Sequence, residues 1–101
     1  MAVSFEYEKD TVKALIKGEI DHHVSAAIRT EIDLAIKRNT PKTLVLDFSA
    51  VSFMDSSGIG LVMGRYKAMQ NVGGKVEIHS APPHIKKVMK LAGLSTLATI
   101  K

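Results

Sequence analysis

Cysteine is absent from this 101-residue chain, which removes disulfides, thiolate nucleophiles and thiolate zinc sites in one step. The absence fits a reducing compartment, so the cytoplasm is the expected location. No apolar run approaches the roughly 20 residues of a membrane span. The opening residues, Met1-Ala2-Val3-Ser4-Phe5-Glu6, lack the basic-then-apolar order of a secretory signal. Aromatic residues are scarce, three Phe and two Tyr, and most fall in apolar periodic patterns. The formal charge is +4, from 14 Lys and Arg against 10 Asp and Glu. The lysines are scattered, dense only at Lys86-Lys87 and Lys90. A basic stripe interleaved with aromatics is missing, so no direct nucleic-acid or membrane partner is expected.

What is present describes a globular protein. Apolar residues make up 46% of the chain, enough to bury a core, and the length suits one domain spanning 1–101. Val3, Phe5 and Tyr7 alternate with Ser4, Glu6 and Glu8, the period of a strand with one wet face. After a short turn at Lys9-Asp10-Thr11, Val12 to Ile20 alternates again, which predicts an antiparallel hairpin. Gly18 marks a bend or bulge near its end. Val24, Ile28, Ile32, Ala35 and Ile36 share one helical face. Asp21 is placed to cap that helix, and Lys37-Arg38 followed by Asn39-Thr40-Pro41 closes it.

Thr43 to Phe48 is a continuous apolar strand, the pattern of burial on both faces of a parallel sheet. A helix from about Ser57 to Asn71 follows, stopped by Gly73-Gly74. Lys75 to His79 reads as a strand. Pro82-Pro83 opens a third helix with Ile85, Val88, Met89 and Ala92 as its apolar stripe. Leu97 to Ile100 is a last short strand. The order predicts an α/β fold, mostly parallel with four to five strands, an antiparallel hairpin at the start and helices packed on the sheet. In such sheets sites gather at the carboxyl ends of strands. The turns at Asp21 and at Asp55-Ser56 are therefore expected on one rim.

The chain is organised around Asp55-Ser56-Ser57-Gly58, where a buried strand gives way to a helix. Ser56 or Ser57 is expected to cap that helix. One cap needs one serine, and three glycines follow at 58, 60 and 64. Each costs about 1 kcal/mol against alanine inside a helix. Gly60 and Gly64, one turn apart, are expected to let the helix approach the sheet. Gly58 has no evident packing role and is expected to keep the serine turn open to a partner.

Other chemistries fit poorly. Gly58-x-Gly60-x-x-x-Gly64 is one residue longer than the dinucleotide fingerprint and lies inside the helix, so a nucleotide-binding domain is the alternative of a different class. The serines are not in G-x-S-x-G, and His22, His23, His79 and His84 show no pairing with them. His22-His23 diverge by about 100° on a helix and do not chelate a metal. No catalytic residue, cofactor or metal ligand is assigned.

Three stretches together resemble the STAS domains of bacterial anti-sigma factor antagonists, the sporulation branch in particular. They are Gly18-Glu19-Ile20-Asp21-His22-His23, Ser52 to Gly60, and Gly64-Arg65-Tyr66-Lys67. The resemblance runs the full length, although family members often continue into a further C-terminal helix. It implies a non-enzymatic switch. The unphosphorylated antagonist binds an anti-sigma factor that is also a serine kinase, releasing the sigma factor. The kinase uses ATP to phosphorylate a serine, and a PP2C-type phosphatase reverses this. The family's phosphorylated serine falls on Ser56, with Ser57 shaping the turn and Asp21 near the binding surface. Asp21, Asp55, Ser56, Ser57 and Gly58 are thus the expected partner-binding residues, on a chain expected to be monomeric when free. A STAS module of a stress pathway is the runner-up.

Overall fold

The computed structural model describes residues 2–101. The hairpin forms as its alternation predicts: β1 (Val3–Glu8) pairs antiparallel with β2 (Thr11–Ile20), Val3 opposite Ile16 and Glu8 opposite Thr11. The chain then alternates through α1 (His22–Asn39), β3 (Thr43–Met54), α2 (Ser56–Asn71), β4 (Lys75–His79) and α3 (Pro83–Leu91). A short 3-10 turn at Leu94–Thr96 precedes β5 (Thr99–Ile100). The sheet order is β1-β2-β3-β4-β5, and every pair after the hairpin is parallel. Crossovers of one hand, each advancing one strand in the same direction, put all three helices on one face.

That face holds the core. Val12, Ala14 and Ile16 of β2, Leu44, Leu46 and Phe48 of β3, and Val76 and Ile78 of β4 meet Ile28 and Ile32 of α1, Val62 and Met69 of α2, and Ile85 and Met89 of α3. The period-two strands and the four-residue helix spacing agree on one buried layer.

β3 runs six residues beyond the predicted Phe48, to Met54. The extension becomes possible because its pairing with β2 is irregular, with register shifts between Leu15 and Lys17 and between Gly18 and Glu19. Gly18 takes φ 88, a conformation that side chains disfavour. Pairing then resumes from Lys17 opposite Ala50 to Ile20 opposite Met54. Beside the first shift, Asp47 Oδ1 accepts from the Ser49 N–H at 2.9 Å and the Ser49 hydroxyl at 2.7 Å.

The face opposite the helices carries no helix among the described residues, yet Val45 there is only 5% exposed. The strand read as buried on both faces thus has helices over one face only, and Val45 on the other is covered in another way. Lys13 and Glu77 flank Val45 in register. Lys13 pairs with Asp47 at 3.6 Å, while Glu77 gathers His79 at 2.9 Å, Lys101 at 3.1 Å and Lys75 at 3.5 Å. Long side chains that meet over a strand cover apolar surface with their stems. The His79 hydrogen bond and then Lys101 push the Glu77 carboxyl down to about 2.

At the other edge the predictions need two corrections. Of the α3 stripe only Ile85 and Met89 are buried, and Val88 is 44% exposed. β5 is two residues long rather than four, because Leu94–Thr96 turns tightly and buries Leu94. So narrow an edge leaves α3 little beyond one pair of side chains to bury against.

Candidate functional site

Strands β2 and β3 end side by side: the Asp55 N–H donates to the Ile20 carbonyl at 3.1 Å. One residue beyond Ile20 stands Asp21, and each aspartate is followed at once by a helix. The two acidic turns therefore share a rim, as the topology predicts. Asp21 Oδ1 accepts from the N–H groups of His23 at 2.9 Å and Val24 at 3.2 Å. Asp55 Oδ1 accepts from the Ser57 N–H at 2.8 Å and from the Ser57 hydroxyl.

The cap of α2 is thus Asp55, where the sequence reading expected a serine. Asp55 has the extended backbone that precedes a helix, φ −95 and ψ −169. A carboxylate accepts more strongly than a hydroxyl, so Ser57 turns donor and binds back to it. Those bonds hold the Asp55 carboxyl below its ordinary range, with His22 nearby adding to the effect. Ser57 is half-buried and engaged. Ser56, at the first helical position, is exposed and outside the cap's hydrogen bonds. The structure therefore separates the serines by environment.

Gly58 is buried, and its N–H donates to the Asp55 carbonyl at 3.0 Å. A Cβ here would collide with the Met54 side chain and come within 3.5 Å of Ile20 Cγ2. Gly58 therefore has a packing role, contrary to expectation: it lets the serine turn sit down on Met54 and Ile20. Gly60 and Gly64 reverse the other expectation, since a Cβ at either meets nothing within 4 Å. They are not needed for approach to the sheet. Gly60 instead helps line a cleft of about 290 Å³ between α1 and α2, with Ser57 and Leu61 on its own helix and Ser25, Ala26 and Arg29 on the other.

Beneath lies a charged contact that sequence reasoning missed. Arg65 is 5% exposed, and its Nε stands 2.8 Å from Asp33 Oδ1 without the alignment of a hydrogen bond. Nothing in the periodicity announced it, because a charge on an apolar face reads as a break in the stripe. His22 was also missed as a neighbour of Asp55. Its position directly after the Asp21 cap was the available signal, since both caps lie on one rim. His23 lies against His22, ring centroids 4.1 Å apart, whereas His79 bonds Glu77 on the open face and His84 Nε2 lies 3.4 Å from the Ser52 carbonyl oxygen.

The sequence and the fold have known counterparts. The model of the STAS domain matches residues 6–101. An anti-sigma F factor antagonist of Lysinibacillus sphaericus is 38% identical over 86 residues, covering 85% of this chain and 74% of the relative. The solved structure of the anti-sigma factor antagonist SpoIIAA in its unphosphorylated form superposes with a TM-score of 0.85 at 35% identity, over 99% of this chain and 88% of that one. The Bacillus cell fate determinant SpoIIAA in its phosphorylated form does so with a TM-score of 0.77 at 35% identity, over 99% and 91%. A family model matched over residues 6–101 and relatives at 35–38% identity leave one assignment: the chain belongs to the STAS domain family.

Proposed function

We propose that this chain is an anti-sigma factor antagonist of the sigma F branch, acting in the cytoplasm as a phosphorylation-controlled binding module and not as an enzyme. In this reading the unphosphorylated chain binds an anti-sigma factor with serine kinase activity and releases the sigma factor. Phosphorylation of Ser56 with ATP by that kinase ends the binding, and a PP2C-type phosphatase restores it. The observation that carries the reading is the exposed Ser56 hydroxyl at the start of α2, next to a serine already committed to the Asp55 cap.

The physics supports a switch without refolding. A phosphate adds about −1.5 to −2 charges at pH 7. At a helix N-terminus that charge meets the positive end of the dipole, so the fold tolerates it. The likeness to SpoIIAA in both phosphorylation states is consistent with one fold serving both. The partner interface is another matter. Asp55, and Asp21 on the same rim, already place negative charge where the phosphate arrives. Covering the three together against a partner costs several kcal/mol, and each 1.4 kcal/mol is about tenfold in affinity. Asp21, Asp55, Ser56 and Ser57 form the partner-binding rim, and Gly58 acts from below by letting the turn settle.

Incubation with an anti-sigma F kinase and ATP, read by mass spectrometry, tests this. The expected result is a single phosphate on Ser56, absent from Ser56→Ala, with loss of complex on calorimetry. Modification at Ser57 or Ser52, or unchanged binding of the phosphoprotein, would sink the assignment.

A further inference from the structure

We infer that the cleft between α1 and α2 is a second contact region for the same partner and receives an acidic side chain from it. This rests on the reading above and extends it from the serine rim to Gly60 and Arg29. Two independent observations converge. The first is the unexplained glycines: Gly60 and Gly64 weaken α2, and a Cβ at either touches nothing. Small residues answer Gly60 across the cleft at Ser25 and Ala26. Together they let a foreign chain approach the helix backbone closely.

The second observation is charge. Arg29 lines the cleft and Arg65 lies one turn beyond Leu61 on α2, yet Asp33 is the carboxylate between the helices. Arg29 stands close enough to Arg65 to lower its pKa, with burial as the larger cause and Asp33 opposing both. Between the helices two guanidiniums face one carboxylate, so the Arg29 end of the cleft is positive, while Asp55, bonded to the lining Ser57, keeps the rim end negative. An orphaned donor lies nearby. Among the described residues Arg65 Nη1 is buried without a hydrogen-bond partner, on a residue 5% exposed. Arg65 itself does not line the cleft but lies one turn beyond Leu61, paired with Asp33. A carboxylate entering the cleft on an apolar stem would pack against Leu61 and pair with Arg29.

Calorimetric titration of an anti-sigma F factor, from the organism that makes this chain, into four unphosphorylated variants and the wild type tests the inference. Gly60→Leu, which fills the cleft, should bind at least about tenfold more weakly, while its thermal midpoint stays level or rises. Arg29→Glu should lose a comparable factor at low salt and much less near about 0.5 M salt, where charge is screened. Arg29→Lys should stay within about threefold of wild type. Ser56→Asp serves as the switched-off control. Wild-type affinity in both Gly60→Leu and Arg29→Glu, with Ser56→Asp inactive, overturns the cleft and leaves the proposed function standing. A folded wild-type chain that does not bind overturns both.

Discussion

Helices α1 and α2 begin alike and then diverge. Each follows a parallel strand on the same rim, each opens on an aspartate cap, and they pack side by side on one face of the sheet. Past the cap, α1 is built for stability. Ile28, Ile32, Ala35 and Ile36 are buried from one face. Lys37 and Arg38 complement the dipole at its end, and the Thr40 N–H closes it on the Ile36 carbonyl at 2.8 Å. α2 has no basic residue in its last turn, a buried arginine in its inner face and three glycines in its first nine residues. Both helices bury one face in the core, α2 through Leu61, Val62 and Met69, but only α2 gives up helix stability at positions that open onto the surface. Two glycines in open space forgo about 2 kcal/mol of helix stability together.

Breaking the comparison at its stable end should have the largest effect. Ile32→Ala in α1, fully buried, should cost about 4 kcal/mol. In a domain of this length that lowers the thermal midpoint by tens of degrees, or prevents folding. The midpoint in a denaturant titration reads it. A loss under about 1 kcal/mol would mean that α1 is not the anchor. Asp33→Ala comes next, at about 3 kcal/mol, because it strands the buried Arg65 without a counter-charge. Adding Arg65→Met should return most of that loss. If the double variant stays as unstable as Asp33→Ala, the pair itself contributes net stability.

Much of this contrast was legible beforehand, and the reasons for the exceptions are specific. The strand and helix order followed from period two against spacings of four, as at Val3-Phe5-Tyr7 and Ile28-Ile32-Ile36. The shared rim of Asp21 and Asp55 followed from parallel topology alone. What could not be read was the consequence of pairing. β3 runs past Phe48 because irregular register with β2, around Gly18, lets both strands continue to the rim. Val45 is buried between Lys13 and Glu77, which are distant in sequence and adjacent only in register. The capping role passed from serine to Asp55 because two adjacent acceptors compete, and the stronger one takes the position. The glycines exchanged roles for a similar reason: what a Cβ would meet depends on Met54 and Ile20, not on glycine spacing.

That exchange gives the sharpest internal test, with two substitutions two residues apart and of opposite sign. Gly58→Ala should destabilise by about 1–3 kcal/mol, since the new Cβ displaces the Met54 side chain in a filled site. Gly60→Ala should stabilise by about 1 kcal/mol, since its Cβ enters open space and only the helix propensity changes. Paired denaturant titrations decide. Equal signs would show that the glycines do not divide into a packing role and a surface role.

The smallest effect concerns the caps. The Asp21 carboxylate takes two backbone N–H groups, whereas Asp55 takes one N–H and a hydroxyl from the same residue. The cap of α2 is therefore partly made of side chain, and Ser57→Ala removes that part. In the wild type the Asp55 carboxyl is held below 3.8 in the folded chain, first by the Ser57 hydroxyl. A depressed folded pKa contributes stability that is present above the unfolded value and is lost as pH falls through the folded one. Ser57→Ala should bring the folded value back toward 3.8, so the variant should be less stable than the wild type at neutral pH, converge on it below the wild type's folded value, and show a flatter acid limb between. Carboxyl-detected NMR titration of Asp55 in both chains measures the shift directly. An unmoved Asp55 titration would mean that the backbone N–H and His22 hold the carboxyl down without the serine. The caps of α1 and α2 would then be equivalent, and the two helices would differ only beyond their first turn.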